Sequence, residues 1–366
     1  MRTLIYSCCL AFAITFVAMP YVIGLARRRG LIDHPEDRSS HTQATPSLGG
    51  IPIFFATVLP AMIFAPGNEF VHLPYVFLAL FLVFILGALD DMRTLSARVK
   101  LPGQLLVAAV LVLGADVRLE SMYGLLGFKA HFPYLVSVGI SMFTVLVIMN
   151  AFNLIDGING LAAGLGCLIN ICLGCWFYLN DLPVLGLLAL SLAGALLAFL
   201  RYNVTPARIF MGDTGSLLIG TLTAMLTIRF IDLCAGGYPM AGSFCFNNPV
   251  AIAVALLIVP LFDTLRVFIT RMLRGKSPFE ADRRHIHHLL IDCGLSHMTA
   301  TSILMLVTMS FISMAFVLDP YWGLHRLLAL EIGLALGLTY VLHRTVYSEK
   351  ARRQRARKRK ILRKSN

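Results

Sequence analysis

The chain reads as an all-α, polytopic integral membrane protein, a bundle of about 11 transmembrane helices, and three observations lead there. Of its 366 residues 58% are hydrophobic and only 14% charged, with a mean hydropathy of +0.78, too little charge to cover a water-soluble surface. The apolar runs are about twenty residues long, the length that crosses a bilayer as a helix with every backbone group bonded internally. The basic residues, finally, fall on alternate connections between those runs. A secreted domain, a soluble enzyme and a nucleic-acid-binding module are excluded.

The apolar windows lie at 4–25, 51–66, 72–89, 101–119, 134–154, 160–178, 182–200, 209–231, 248–269, 298–318 and 323–343. The first is too long for a signal-peptide core and is stopped by Arg27, Arg28 and Arg29, so it reads as a retained helix. Assigning the connections to alternate sides puts 26 of the 31 Lys and Arg on one side and 5 on the other. By the positive-inside rule the N-terminus is then periplasmic and the C-terminus cytoplasmic. Residues 1–345 form one transmembrane domain, and 346–366 a basic cytoplasmic tail. From position 349 on, ten Lys and Arg stand against Glu349, which makes +9 of the net +12. Beside a final span such a run suits anionic headgroups better than RNA. Of the eight cysteines, Cys172 and Cys175 are spaced C-x-x-C inside a span with no second pair, so they read as small hydrophobes. Cys234 and Cys245 flank one outer loop, as a disulfide or as two thiols.

Unusual polar residues gather on the cytoplasmic face. Asp33, Arg38 and His41, then Asp90 and Asp91, then Asn153, Asp156 and Asn159 all fall there. So do Asn203 and Asp213, and, further on, Asp263, Arg266, Asp282, Arg283, His285, His287 and His288. A transporter more often keeps such groups near the bilayer midplane. Groups at one interface suit an enzyme whose soluble substrate comes from the cytosol.

Asp90 and Asp91 end an apolar run, where two adjacent carboxylates are costly unless a cation or base holds them. The plainer reading is a pair that merely ends a helix. Lys100 and Gln104 would share a face if their stretch is helical, and Lys100 could meet a carboxylate or a phosphate. In NAFNLIDGINGL, Asn153 and Asp156 face the same way on a helical turn and could share a hard cation; a capped turn is the alternative. Asp213, in FMGDTGS, stands at a helix start as either an N-cap or a Mg²⁺ ligand. The long basic connection through His285, His287 and His288 could hold a diphosphate, with a simple positive-inside loop or a zinc site as the alternatives. Carboxylates for Mg²⁺, cations for phosphates and a membrane for the second substrate together point to phosphoryl transfer to a lipid.

Five strings carry a resemblance in order: DHPEDRSSHTQATPSLGG, LDDMRTLSARVKLPGQ, NAFNLIDGINGL, NVTPARIFMGDTGS and DRRHIHH. Over nearly its full length the chain resembles the polyprenyl-phosphate N-acetylhexosamine-1-phosphate transferases of glycosyltransferase family 4. The resemblance implies that undecaprenyl phosphate attacks the β-phosphorus of a UDP-N-acetylhexosamine, releasing UMP and starting a cell-surface polysaccharide in the bacterial inner membrane. It implies Mg²⁺, with Mn²⁺ as the alternative, held by Asn153 and Asp213. It also implies that Asp90 and Asp91 orient or deprotonate the lipid phosphate, that Lys100 neutralises charge, and that Asp156 supports the metal cluster. Asn159 and Asn203 would contact the uridine, and Arg283, His285, His287 and His288 would hold the diphosphate and sugar. Asp33, Arg38 and His41 enter as substrate-binding candidates from the first string. Relatives often carry Asp where Asn159 stands, which takes away a charge and argues against metal binding there. The His285-Ile286-His287-His288 spacing resembles the amino-sugar branch, which makes GlcNAc the default donor. A homodimer and a monomer both fit. Glu331, inside the last span, favours a transporter instead, or else marks a hydrogen bond to a neighbouring helix.

Overall fold

The computed structural model describes residues 2–33, 45–65, 72–236, 244–275 and 285–362. Arg38, His41 and Arg283 lie outside the described residues, and Asp33 is described only by its backbone. Among the described residues the elements are helices joined by turns and loops, apart from one pair of two-residue strands and an isolated bridge between Ser121 and His131. In order the chain forms α1 (Arg2–Arg29), β1 (Ile32–Asp33), β2 (Thr45–Pro46), α2 (Gly50–Phe64), α3 (Leu73–Met92) and α4 (Ala97–Ala109). Then come α5 (Tyr134–Ile155), α6 (Leu161–Leu179), α7 (Pro183–Asn203) and α8 (Gly212–Ala235). The last elements are α9 (Pro249–Leu256), α10 (Ile258–Met272), α11 (Ile286–Asp292), α12 (His297–Leu318) and α13 (Leu324–Leu362).

Every apolar window of the sequence overlaps a helix. Among the described residues, eight helices are long and apolar enough to cross a bilayer, and the bent pair α9–α10 makes a ninth if counted as one span. At 15 residues α2 is about 22 Å long, short of a hydrocarbon core of about 30 Å. The window at 101–119 is helical only as far as Gly114, where α4 continues as one π turn, Val110–Gly114. α9 and α10 meet at 78°. Pro260 explains the break: it has no N–H for Leu256, and its ring displaces that carbonyl, so the helix gives way between them.

α8 is the most deeply buried helix, flanked by α3 and α5. Glycines set how closely these approach. A Cβ on Gly87 of α3 would stand 2.4 Å from the Thr214 Cα, and one on Gly220 of α8 would stand 2.6 Å from the Met149 Cα of α5. Close backbone contact of this kind replaces the hydrophobic drive that helices lack in lipid. α3 ends and α8 begins at the same end of the bundle, which is where the polar residues collect. α13 continues past its spanning part to Leu362 at this end too, where His343 meets Arg266 at 2.9 Å. Glu331 of α13 is fully buried and, among the described residues, has no hydrogen-bond partner, so the expected interhelical bond is not formed. Cys234 and Cys245 are both free thiols.

Candidate active site

Two carboxylates reach the site from the last turn of α3, and they face different partners. Asp90 accepts the Leu95 N–H at 2.5 Å and pairs with the Lys100 ammonium. Asp91 turns to α8: its Oδ1 accepts the Asp213 N–H at 2.6 Å, and its Oδ2 accepts the Thr214 N–H at 3.0 Å and the Thr214 hydroxyl at 2.6 Å. A negative charge from a neighbouring helix thereby satisfies donors that a helix start leaves open. Gly212 makes this approach feasible. Its φ is +74°, and a Cβ there would stand 2.6 Å from both Asp91 carboxylate oxygens and 2.2 Å from the Ser47 carbonyl. The chain entering α8 is paired to β2 and the start of α2, with the Phe210 N–H on the Pro46 carbonyl at 2.7 Å and the Gly50 N–H on the Met211 carbonyl at 2.8 Å.

Asp213 therefore stands on a braced helix start and caps nothing itself. Lys100 Nζ donates to its Oδ2 at 2.7 Å, and Asn153 Nδ2 donates to its Oδ1 at 3.0 Å. Asn153 also donates to Ser216 Oγ at 3.0 Å. Asp90 is buried, whereas the Lys100 and Asp213 side chains keep 26% and 24% exposure, so the cluster opens to solvent on their side. Asp156 stands where α5 gives way to the loop. α5 ends at Ile155, and Asp156 is its C-cap residue, with φ still helical at −75° and ψ turned to +38°. Loss of hydration, with the Asp213 and Asp91 charges, pushes its carboxyl well above the usual carboxylate range.

Four carboxylates, Asp90, Asp91, Asp156 and Asp213, thus share a site with one ammonium, a surplus of negative charge that suits a hard cation. Among the described residues no three Asp, Glu, His or Cys side chains converge tightly enough to hold a metal by themselves. That is compatible with Mg²⁺, which binds through one or two carboxylates and takes the rest of its shell from water and substrate phosphates.

A second cluster adjoins the first. Asp263 of α10, 1% exposed, accepts from Arg266 Nη2 at 2.8 Å, pairs with His285 Nδ1 at 3.0 Å, and accepts the Ile286 N–H at 3.0 Å. It thereby fixes both the His285 ring and the start of α11. His287 is buried against the loop after α5, where a Cβ on Gly157 would stand 2.4 Å from its Nε2. Burial, followed by the neighbouring His288, pushes the His287 imidazole down to about 3, so it is neutral at physiological pH. His288 packs on His287 with ring centroids 4.3 Å apart. Asn159 donates to Thr205 Oγ1 at 2.9 Å, and its carbonyl accepts from Thr301 at 2.8 Å. Asn203 is buried with both amide atoms engaged: Oδ1 accepts the Gly160 N–H at 2.6 Å and Nδ2 donates to the Ile209 carbonyl at 2.9 Å.

The structure thus joins Asp90, Lys100, Asn153 and Asp213 directly, Asp91 through the start of α8, and His285, His287 and Asn159 around the loop after α5. Sequence reasoning did not single out Ser216 or Thr214, nor assign Asp263 a role; Gly157 it did read as a place of close backbone approach, and the group that approaches is His287. Ser216 had a readable signal, since it stands one helical turn after Asp213.

Residues 73–231, which hold the whole carboxylate cluster, match the family described as glycosyl transferase family 4. The chain is 33% identical over 315 residues to a Mycolicibacterium smegmatis protein named decaprenyl-phosphate N-acetylglucosaminephosphotransferase, covering 81% of this chain and 77% of that one. It is 34% identical to a Bacillus subtilis protein named probable undecaprenyl-phosphate N-acetylglucosaminyl 1-phosphate transferase, covering 82% and 81%. An Escherichia coli K12 protein named undecaprenyl-phosphate alpha-N-acetylglucosaminyl 1-phosphate transferase is 28% identical, covering 78% and 76%. A multi-pass helical membrane protein with an acidic cluster and a lysine at one end is the class that fold and site define. The chain belongs to glycosyl transferase family 4.

Proposed function

We propose that the protein transfers GlcNAc 1-phosphate from UDP-GlcNAc to undecaprenyl phosphate, releasing UMP, and so begins a cell-surface polysaccharide. The observation that carries this reading is the Lys100 ammonium bridging Asp90 and Asp213 at one end of a spanning bundle, where a lipid phosphate and a soluble nucleotide can meet. The names of the relatives support the lipid acceptor and the amino sugar. Eleven passes, a periplasmic N-terminus and a site facing the cytoplasm of the bacterial inner membrane belong to the same proposal, on the distribution of basic residues.

An oxygen of the lipid phosphate forms a bond to the β-phosphorus, and the bond from that phosphorus to the bridging oxygen breaks, the oxygen leaving with UMP. Both reactants are anions, so positioning and charge neutralisation matter more than a base. Lys100 supplies one positive charge and offsets the repulsion between the Asp90 and Asp213 carboxylates. Asp91 holds Asp213 in place by fixing the start of α8. Asn203 shapes the loop carrying Asn159, and through it the uridine subsite. Asp263 orients His285 toward the diphosphate. Mg²⁺, or Mn²⁺ in its place, would be held by Asp213 and Asn153, with the Asn153 amide presenting its oxygen, and would supply further charge on the transferred phosphoryl group.

UMP release by purified protein given UDP-GlcNAc, undecaprenyl phosphate and Mg²⁺ tests this. Release is expected to require lipid and metal, and to be lost in Asp213→Asn and in EDTA. Folded protein that releases no UMP from any UDP-N-acetylhexosamine would refute the reading.

A further inference from the structure

We propose that Gln104 and Asn150 form a clamp between α4 and α5 that sets the spacing of Lys100 and Asn153, and through them the position of the Asp213 carboxylate. The two side chains exchange a reciprocal pair of amide hydrogen bonds. Gln104 Nε2 donates to Asn150 Oδ1 at 3.2 Å, and Asn150 Nδ2 donates to Gln104 Oε1 at 3.0 Å. Asn150 also donates to the Leu146 carbonyl at 2.8 Å, which fixes its rotamer on α5. Gln104 is 4% exposed, so its amide has little water to fall back on.

Where the clamp sits gives it a role in the reaction. Gln104 is four residues after Lys100 on α4, and Asn150 three before Asn153 on α5, so each amide shares a helix face with a site residue one turn away. The two helices are thus joined by two adjacent rungs. One is the amide pair; the other is Asp213, whose Oδ2 is taken by Lys100 and whose Oδ1 is taken by Asn153. Apolar contacts between α4 and α5 tolerate a small slide, whereas two directional amide bonds do not. A slide would draw Lys100 and Asn153 apart and leave Asp213 held by one of them. Gln104 and Asn150 touch no reacting atom in this scheme; they are positioning residues.

The inference rests on the phosphoryl-transfer reading of the site, so its test has a readout that needs no turnover. The double variant Gln104→Met/Asn150→Leu removes both amides together, which leaves no buried donor or acceptor unpaired and favours folding. The swap Gln104→Asn/Asn150→Gln restores both bonds with the same total side-chain length. Acetic anhydride labelling read by mass spectrometry compares Lys100 with Lys129, which is exposed at the other end of the bundle. In the double variant Lys100 is expected to label about threefold or more faster with Lys129 unchanged. Its kcat for UMP release should fall about 10-fold or more with KM for UDP-GlcNAc little moved, as a misplacement of about 1 Å can cost up to about 100-fold. The swap variant should recover most of both. Unchanged Lys100 labelling in the double variant, or a swap variant no better than the double, would overturn the clamp. A wild type that labels as expected but releases no UMP would instead overturn the reading of the site. Should the double variant not accumulate, Gln104→Met alone is read by the same labelling and kcat measurements: faster Lys100 labelling with lower kcat supports the clamp, and unchanged labelling overturns it.

Discussion

Asp91→Asn and Asp90→Asn are adjacent, chemically identical changes that should have opposite signatures. Asp91 accepts three hydrogen bonds from the first turn of α8, two of them at 2.6 Å. The Asn variant keeps one acceptor oxygen and turns an NH₂ toward groups that are themselves donors. It loses at least one charge-assisted bond, about 1.5–3 kcal/mol, and the favourable charge at a helix start, up to about 2 kcal/mol. Together these come to about 3–4 kcal/mol. At the usual unfolding entropy per residue, that lowers the melting temperature of a chain this long by about 4–5 °C. Turnover should fall as well, because the Asp213 N–H is one of the donors released.

Asp90→Asn keeps an oxygen for the Leu95 N–H and removes one negative charge from a crowded site. Its melting temperature should stay within about 1 °C of wild type while turnover falls about 100-fold or more, the scale seen when a preorganised charged group is removed. A thiol-reactive dye reporting exposure of the buried Cys167 gives the melting curves in detergent, and UMP release gives the rates. If Asp91→Asn melts with wild type and only Asp90→Asn is destabilised, the division of labour between the two acids is wrong.

Lys100→Met should lower kcat about 100-fold or more, with Lys100→Arg rescuing poorly because a planar fork does not replace a point charge between two carboxylates; steady-state rates at equal protein decide it. Gly87→Ala places a methyl 2.4 Å from the Thr214 Cα, where only backbone movement can relieve it, so the variant should reach the membrane at reduced amount or melt several degrees early. The His287 imidazole, held down to about 3 in the fold against 6.5 in the unfolded chain, binds a proton between those values only when unfolded. Stability should therefore drop as pH falls below about 6.5, by up to about 1.4 kcal/mol per pH unit from this group, and His287→Asn should flatten that slope in melting curves taken between pH 4 and 7.

Helices were legible in the sequence because their signal is one-dimensional: about twenty apolar residues with basic residues beyond. The break between α9 and α10 was missed because apolarity runs straight through Pro260; only the missing N–H and the ring clash with Leu256 reveal it. The window at 51–66 was already short, and α2, Gly50–Phe64, is no longer than it. Site composition was legible from acids and amides placed against the cost of carrying them at a membrane edge. Which group meets which was not. Lys100 and Asp213 are 113 residues apart, and nothing in their local spacing states that they pair at 2.7 Å.

One family of contacts explains why so many functional positions in this chain are small or neutral. Gly87, Gly157 and Gly212 each occupy a place where a Cβ would strike, in turn, the backbone of α8, the His287 ring and the Asp91 carboxylate. Asn153, Asn159 and Asn203 join segments through amides, adding no charge to a site that already holds four carboxylates against one lysine. A further acid at Asn153 would add like charge beside Asp213 and raise the cost of assembling the end of the bundle before substrate arrives. Asn159 in particular donates to Thr205, a bond a carboxylate could make only by accepting. The acidic charge is thereby concentrated around Lys100, while the loop after α5 and the chain leading into α8 are held by neutral bonds.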